Sequence, residues 1–130
     1  MATGKSELPI LHPITGFKLG TTSAGIKTPG RPDLVIMEVS EGSSVAALFT
    51  KNAFCAAPVT VCKQRLLRSR PRYLVTNTGN ANAGTGEQGL LDATLTCSNL
   101  AALAEVDIDT ILPFSTGVIG EPLPMDRLLA

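Results

Sequence analysis

At 130 residues the chain is sized for one domain or a part of a larger one. Eleven basic and eleven acidic residues cancel, which argues against nucleic acid as a partner, since that would need a basic excess or stripe. No run approaches the ~20 apolar residues of a membrane span, and Met1–Gly16 lacks the apolar stretch of a signal peptide, so the expected location is the cytoplasm.

Hydrophobic content of 44% is enough for a core, and with aromatics at 4% that core should be Val, Leu, Ile and Ala. Taken in chain order, residues 1–10 read as a loose arm and Gly16–Gly20 as a short strand. Thr28-Pro-Gly-Arg-Pro32 is a turn-rich loop. Leu34–Ser40 and Val45–Thr50 read as two strands joined by Glu41-Gly-Ser-Ser44, a hairpin. Ala57–Leu67 reads as a helix that tolerates Pro58 in its first turn. Lys63, Arg65, Arg68, Arg70 and Arg72 then mark a solvated helix end and turn. Tyr73–Asn77 is a strand. Gly89–Ala104 is a helix, with Leu91, Leu95, Leu103 and small residues expected on its inner side. Asp109–Ser115 is a second apolar strand, and Pro124–Ala130 begins a further helix. Leu128 and Leu129 need something to pack on, which marks the chain as part of a larger protein. Mixed strands followed by alternating strand and helix imply an α/β or α+β layered fold.

Cys55, Cys62 and Cys97 are an odd number at no metal-ligand spacing and read as buried free thiols. No cofactor or metal is implied. Gly84-Thr-Gly-Glu-Gln-Gly89 matches a dinucleotide-binding pattern, but Gly79-Asn-Ala-Asn-Ala83 separates it from the preceding strand, so the phosphate geometry is wrong. His12 is the single histidine, and no Ser-His-Asp set can be drawn. Thr94 lies inside a predicted helix and cannot offer a free α-amino group. The asparagines Asn77, Asn80 and Asn82 can satisfy their own loop or line a cleft.

The most informative stretch is Ile111-Leu-Pro-Phe-Ser-Thr-Gly-Val-Ile-Gly120. The apolar strand is expected to stop at Ser115-Thr116-Gly117, where N–H groups and a hydroxyl leave the ladder. Small residues there let a ligand reach the main chain, the raw material of an oxyanion hole.

That stretch, together with Asn77-Thr-Gly-Asn-Ala-Asn-Ala83 and Thr85-Gly-Glu-Gln-Gly89, resembles the ornithine acetyltransferase family, also called glutamate N-acetyltransferase. Ser23-Ala-Gly-Ile-Lys27 and Ala46–Phe54 extend the resemblance from about Leu11 to Leu128. Gly84 departs from it, since many members have Cys there. The resemblance implies that residues 1–130 are the N-terminal portion of a single acetyltransferase domain, within a four-layer α/β/β/α sandwich. It implies acetyl transfer from N-acetylornithine to glutamate, with acetyl-CoA a donor in some members. The implied nucleophile is a downstream Thr freed by self-cleavage, so the β chain of the same precursor becomes a partner in an αβ assembly. The positions matching the family's oxyanion hole are Thr116 (hydroxyl) and Gly117 (backbone N–H). The rival reading is a non-catalytic domain that binds small anions through its Gly-rich loops.

Overall fold

The structure is a computed structural model that describes residues 10–130. The reading of residues 1–10 as an arm lies almost wholly outside the described residues. Four strands form one sheet: β1 (Phe17–Thr22), β2 (Leu34–Val39), β3 (Tyr73–Asn80) and β4 (Ile111–Val118), hydrogen-bonded in that order. β1 and β2 pair antiparallel, as do β2 and β3, while β3 and β4 run parallel. A parallel step needs a crossover. Helix α2 (Gly86–Ala104) and a short 3₁₀ turn, Ile108–Thr110, supply it. Helix α1 (Ala57–Leu66) bridges β2 and β3, and α3 (Met125–Leu128) follows β4.

The layered α/β expectation holds, with corrections. Val45–Thr50 is not a strand, and no hairpin forms at Glu41–Ser44. Both edges of β2 are taken by β1 and β3, so a hairpin return strand has no edge of β2 to pair with. Its Val45, Leu48 and Phe49 are exposed. Helix α2 starts three residues before Gly89, and its inner face is not leucine. Gly89, Asp92, Ala93, Thr96, Cys97 and Ala101 are buried, whereas Leu91 and Leu95 face solvent and Leu103 is 84% exposed. Small side chains let α2 close on α1, where Ala57, Val61 and Ala93 form one cluster. They also let it close on the sheet, where Cys97 and Ala101 meet Val75 and Ile111.

The cationic cluster is likewise not uniformly solvated. Arg65 is 5% exposed, and its guanidinium donates to the Ile111 carbonyl at 2.6 Å. A buried guanidinium must keep its hydrogen bonds, and the first residue of β4 provides one. Arg72 is half-buried beside Glu38, and only Arg68 and Arg70 lie in the open as expected. At the far end, α3 is four residues long. Leu128 does find partners within the chain, Ile26 and Leu123, while Leu129 stays exposed.

Core residues Val75 and Ile111 point toward the helices. Side chains alternate along a strand, so Leu112, Phe114 and Thr116 lie on the other face. Their row continues through Leu74, Thr76 and Thr78 of β3 and through Val35 and Met37 of β2. The sheet therefore carries its helices on one side and sets Thr116 on the other.

Candidate active site

The carboxyl ends of β3 and β4 build the site. β4 does not stop at Ser115–Gly117. It runs to Val118, and Ser115, Thr116 and Gly117 lie opposite Asn77, Thr78 and Gly79. The irregularity falls on the partner strand: Asn80 lies opposite both Thr116 and Val118. Ala81 then donates its N–H to the Val118 carbonyl at 2.8 Å, so the strands stay tied beyond this point. The ladder is locally distorted at Thr116 and Gly117, and both are exposed.

Gly117 sits at φ +136 and Gly79 at φ +106, where a side chain is strained. Their backbones also touch. A Cβ on Gly117 would run into the Gly79 carbonyl group and come within 2.5 Å of the Asn80 nitrogen.

Three buried asparagines hold this corner. Asn77 accepts from the Ser115 hydroxyl at 2.5 Å and donates to the Asn80 carbonyl at 2.8 Å. Asn80 donates to the carbonyls of Glu121 and Pro122 and accepts from the Asn82 N–H. Asn82, fully buried, donates to the Gly89 carbonyl at the start of α2 and accepts from the Thr85 hydroxyl. The side chains thus serve their own loop and also reach across to β4 and the turn after it. Every buried polar side-chain atom among the described residues has a partner, as a low-dielectric corner requires.

A cleft of about 300 Å³ opens beside Gly117, lined also by Lys27, Thr28, Arg31, Asp33, Thr78 and Gly79. Thr116 does not line it. Asp33 is buried and shapes the rim. Its two carboxylate oxygens accept from the N–H groups of Ala24 and Ile26, each at 2.7 Å, and its carbonyl accepts from Thr78. Lys27, Arg31 and Asp33 were not marked as site residues by the sequence. The signal was faint: Lys27 stood only within a family-like stretch, and Asp33 merely preceded an apolar strand.

The other candidates fall away from this corner. His12 is exposed near the start of the described residues. Thr94 lies within α2, and its hydroxyl donates to the Leu90 carbonyl. Gly84 precedes α2 and Gly86 and Gly89 lie in its first turn, where Gly89 packs so closely on Asn82 and Thr85 that a Cβ there would collide with both. Among the described residues no group of His, Cys, Asp and Glu could hold a metal ion, and no helix is long and apolar enough to cross a membrane.

The three thiols are free; Cys55 is half-buried rather than buried. Burial pushes the Cys62 thiol up to about 11, with Cys97 adding to the rise and Arg65 opposing it. Burial also raises the Cys97 thiol against the pull of Arg65. Both stay protonated at neutral pH and are not nucleophiles. A thiol raised from 9.0 to about 11 keeps its proton in the folded state after the unfolded chain has lost it. Its stabilising contribution is complete below pH 9 and fades as pH rises from 9 to about 11. Urea unfolding at pH 8.5 and 10.5 (values on the order of the window's ends) should therefore show a smaller loss of stability in Cys62→Ala than in the parent. Equal losses would remove Cys62 as a source of the alkaline sensitivity.

A sequence model described as the ArgJ family matches residues 18–130. The chain is 62% identical over 128 residues to the arginine biosynthesis bifunctional protein ArgJ of Pseudomonas syringae pv. tomato, covering 98% of this chain and 31% of that protein. The ArgJ protein of Methylococcus capsulatus is 56% identical over 120 residues. The chain spans about a third of the length of the curated relatives it matches. Among solved structures, the arginine biosynthesis bifunctional protein ArgJ of Bacillus halodurans superposes with a TM-score of 0.83 at 34% identity, over 88% of this chain and 60% of that one. Ornithine acetyltransferase of Mycobacterium tuberculosis, solved with ornithine, gives 0.80 at 38% identity over 88% of this chain and 63% of that one. The sheet with its crossover helix, the paired glycines at the strand ends and a match running from β1 to the last residue agree: the chain belongs to the ArgJ family.

Proposed function

We propose that this chain is the N-terminal part of an acetyltransferase that moves acetyl from N-acetylornithine to glutamate. The observation that carries the proposal is the distorted end of β4, where Thr116 and Gly117 stand exposed and Gly117 lines a cleft of amino-acid size. The family membership and the ornithine bound to a structural relative support the same substrate class.

The reaction needs a nucleophile that this chain does not supply, since Thr94 is locked in a helix and the buried thiols are protonated. An N-terminal Thr from the remainder of the protein fits, because its own α-amino group can serve as the base. Its hydroxyl oxygen attacks the acetyl carbonyl carbon and gives up its proton to that amine. The tetrahedral intermediate places negative charge on the former carbonyl oxygen, and the Thr116 hydroxyl and the Gly117 N–H donate to it. The bond from carbon to the ornithine nitrogen breaks, and that nitrogen leaves with the proton. Glutamate's amine then attacks the acyl-Thr ester, the Thr oxygen leaves, and the proton returns to it. The assembly implied is this chain with the self-cleaved C-terminal chain.

Residues 1–130 alone are expected to be inactive, and the whole protein is expected to acetylate glutamate at the expense of N-acetylornithine. Mass-spectrometric detection of N-acetylglutamate checks both. Transfer by the isolated chain, or none by the whole protein, would reject the reading.

A further inference from the structure

We infer that Lys27 and Arg31 form an anion subsite that holds a carboxylate of the amino-acid substrate. The inference rests on the acetyltransferase reading above. Both cations line the cleft that Gly117 also lines. Among the described residues neither side chain has a carboxylate in ion-pair range or a hydrogen-bond partner, while another basic residue nearby does: Arg127 donates to the Gly25 carbonyl.

Two cations that line one cleft and have no carboxylate partner among the described residues favour an anion there. The one acidic group of the same wall, Asp33, has both oxygens engaged by backbone N–H groups. The wall is left with one net positive charge. Glu121 and Asp126 share a neighbouring cleft with Lys27, which places counter-charge on its far side, but neither pairs with it.

The position is built rather than incidental. Asp33 pins Ile26 directly before Lys27, and Ile26 is buried against Leu123 and Leu128. Gly79 has no side chain, and a Cβ there would stand 3.0 Å from Lys27 Cβ. The lysine stem therefore lies against the strand end that also presents Gly117. A ligand whose reacting carbonyl met Gly117 would bring its carboxylate within reach of this wall. Arg31 can grip such a group with two parallel N–H donors, and Lys27 adds a point charge.

The test uses the whole protein, with initial rates measured against N-acetylornithine and against glutamate for the parent, Lys27→Met, Lys27→Arg and Arg31→Gln. Loss of a charge-assisted hydrogen bond should raise KM about 10- to 100-fold, with kcat changed by less than about threefold. Lys27→Arg should keep most of the affinity. A rise for both substrates assigns the α-carboxylate they share, and a rise for glutamate alone assigns its side-chain carboxylate. The melting temperature of each variant is measured alongside, and a KM rise in a variant that melts with the parent is the expected result. Unchanged KM for both substrates in Lys27→Met and Arg31→Gln, or a fall in kcat alone, overturns the subsite and leaves the acetyltransferase reading standing. An inactive parent overturns both.

Discussion

Thr116→Ala is expected to lower kcat by about 10²–10³-fold in the whole protein and to leave its fold intact, because the proposed mechanism makes its hydroxyl one of two donors to the tetrahedral oxyanion. KM should move less, since that contact strengthens mainly as charge develops. The fold should survive because Thr116 is exposed on the helix-free face and its side chain makes no hydrogen bond among the described residues. Thr116→Ser keeps the hydroxyl and should retain much more activity. Steady-state kinetics on the two variants are decisive. Equal losses, or a drop in melting temperature with kcat unchanged in the folded fraction, would leave Thr116 as a strand residue and nothing more.

Gly117→Ala is expected to fail in a different way, through folding. A Cβ there must occupy the space of the Gly79 carbonyl and the Asn80 nitrogen, at a φ of +136 that alanine disfavours. Strain of that kind costs about 1–3 kcal/mol before the collision with main chain is added. Most of a marginal stability would be gone. Gly42→Ala is the control. Gly42 also has positive φ, at +79, but a Cβ there meets nothing. Denaturant unfolding should show a large loss for Gly117→Ala and about 1 kcal/mol for Gly42→Ala. If Gly117→Ala unfolds with the parent, β3 and β4 are not in backbone contact as described.

Much of this architecture could be read from the residues. Apolar runs at Leu34, Tyr73 and Ile111 are strands, and helices follow Pro58 and the Gly-rich loop. The Val45–Thr50 segment misled because a short apolar run reads as a strand whether or not a partner edge is free, and pairing is a property of the whole sheet. The leucines of α2 misled because hydrophobicity does not report distance. Where two helices and a sheet close together, alanine and cysteine fit and leucine does not. Arg65 reads as a surface cation because its acceptor, the Ile111 carbonyl, is 46 residues away.

Of the candidate site, the sequence and its resemblance single out Thr116 and Gly117, but the distortion that accompanies their exposure belongs to Asn80 on the neighbouring strand. The cation-lined wall could not be seen at all. Lys27 and Arg31 come to line one cleft with Gly117 through the loop that Asp33 folds back on itself, and no spacing along the chain encodes that.

The contact between Gly79 and Gly117 has a consequence for how this sequence can drift. Two side chains that crowd each other can exchange volume over generations, one shrinking as the other grows. Main chain has no smaller version. What blocks a side chain at Gly117 is the carbonyl group of Gly79, which every amino acid carries. No change at the partner position can open that space, so the two sites form no compensating pair and each is fixed separately. Change meets less resistance at positions such as Leu91, Leu95 and Leu103, which no packing among the described residues buries.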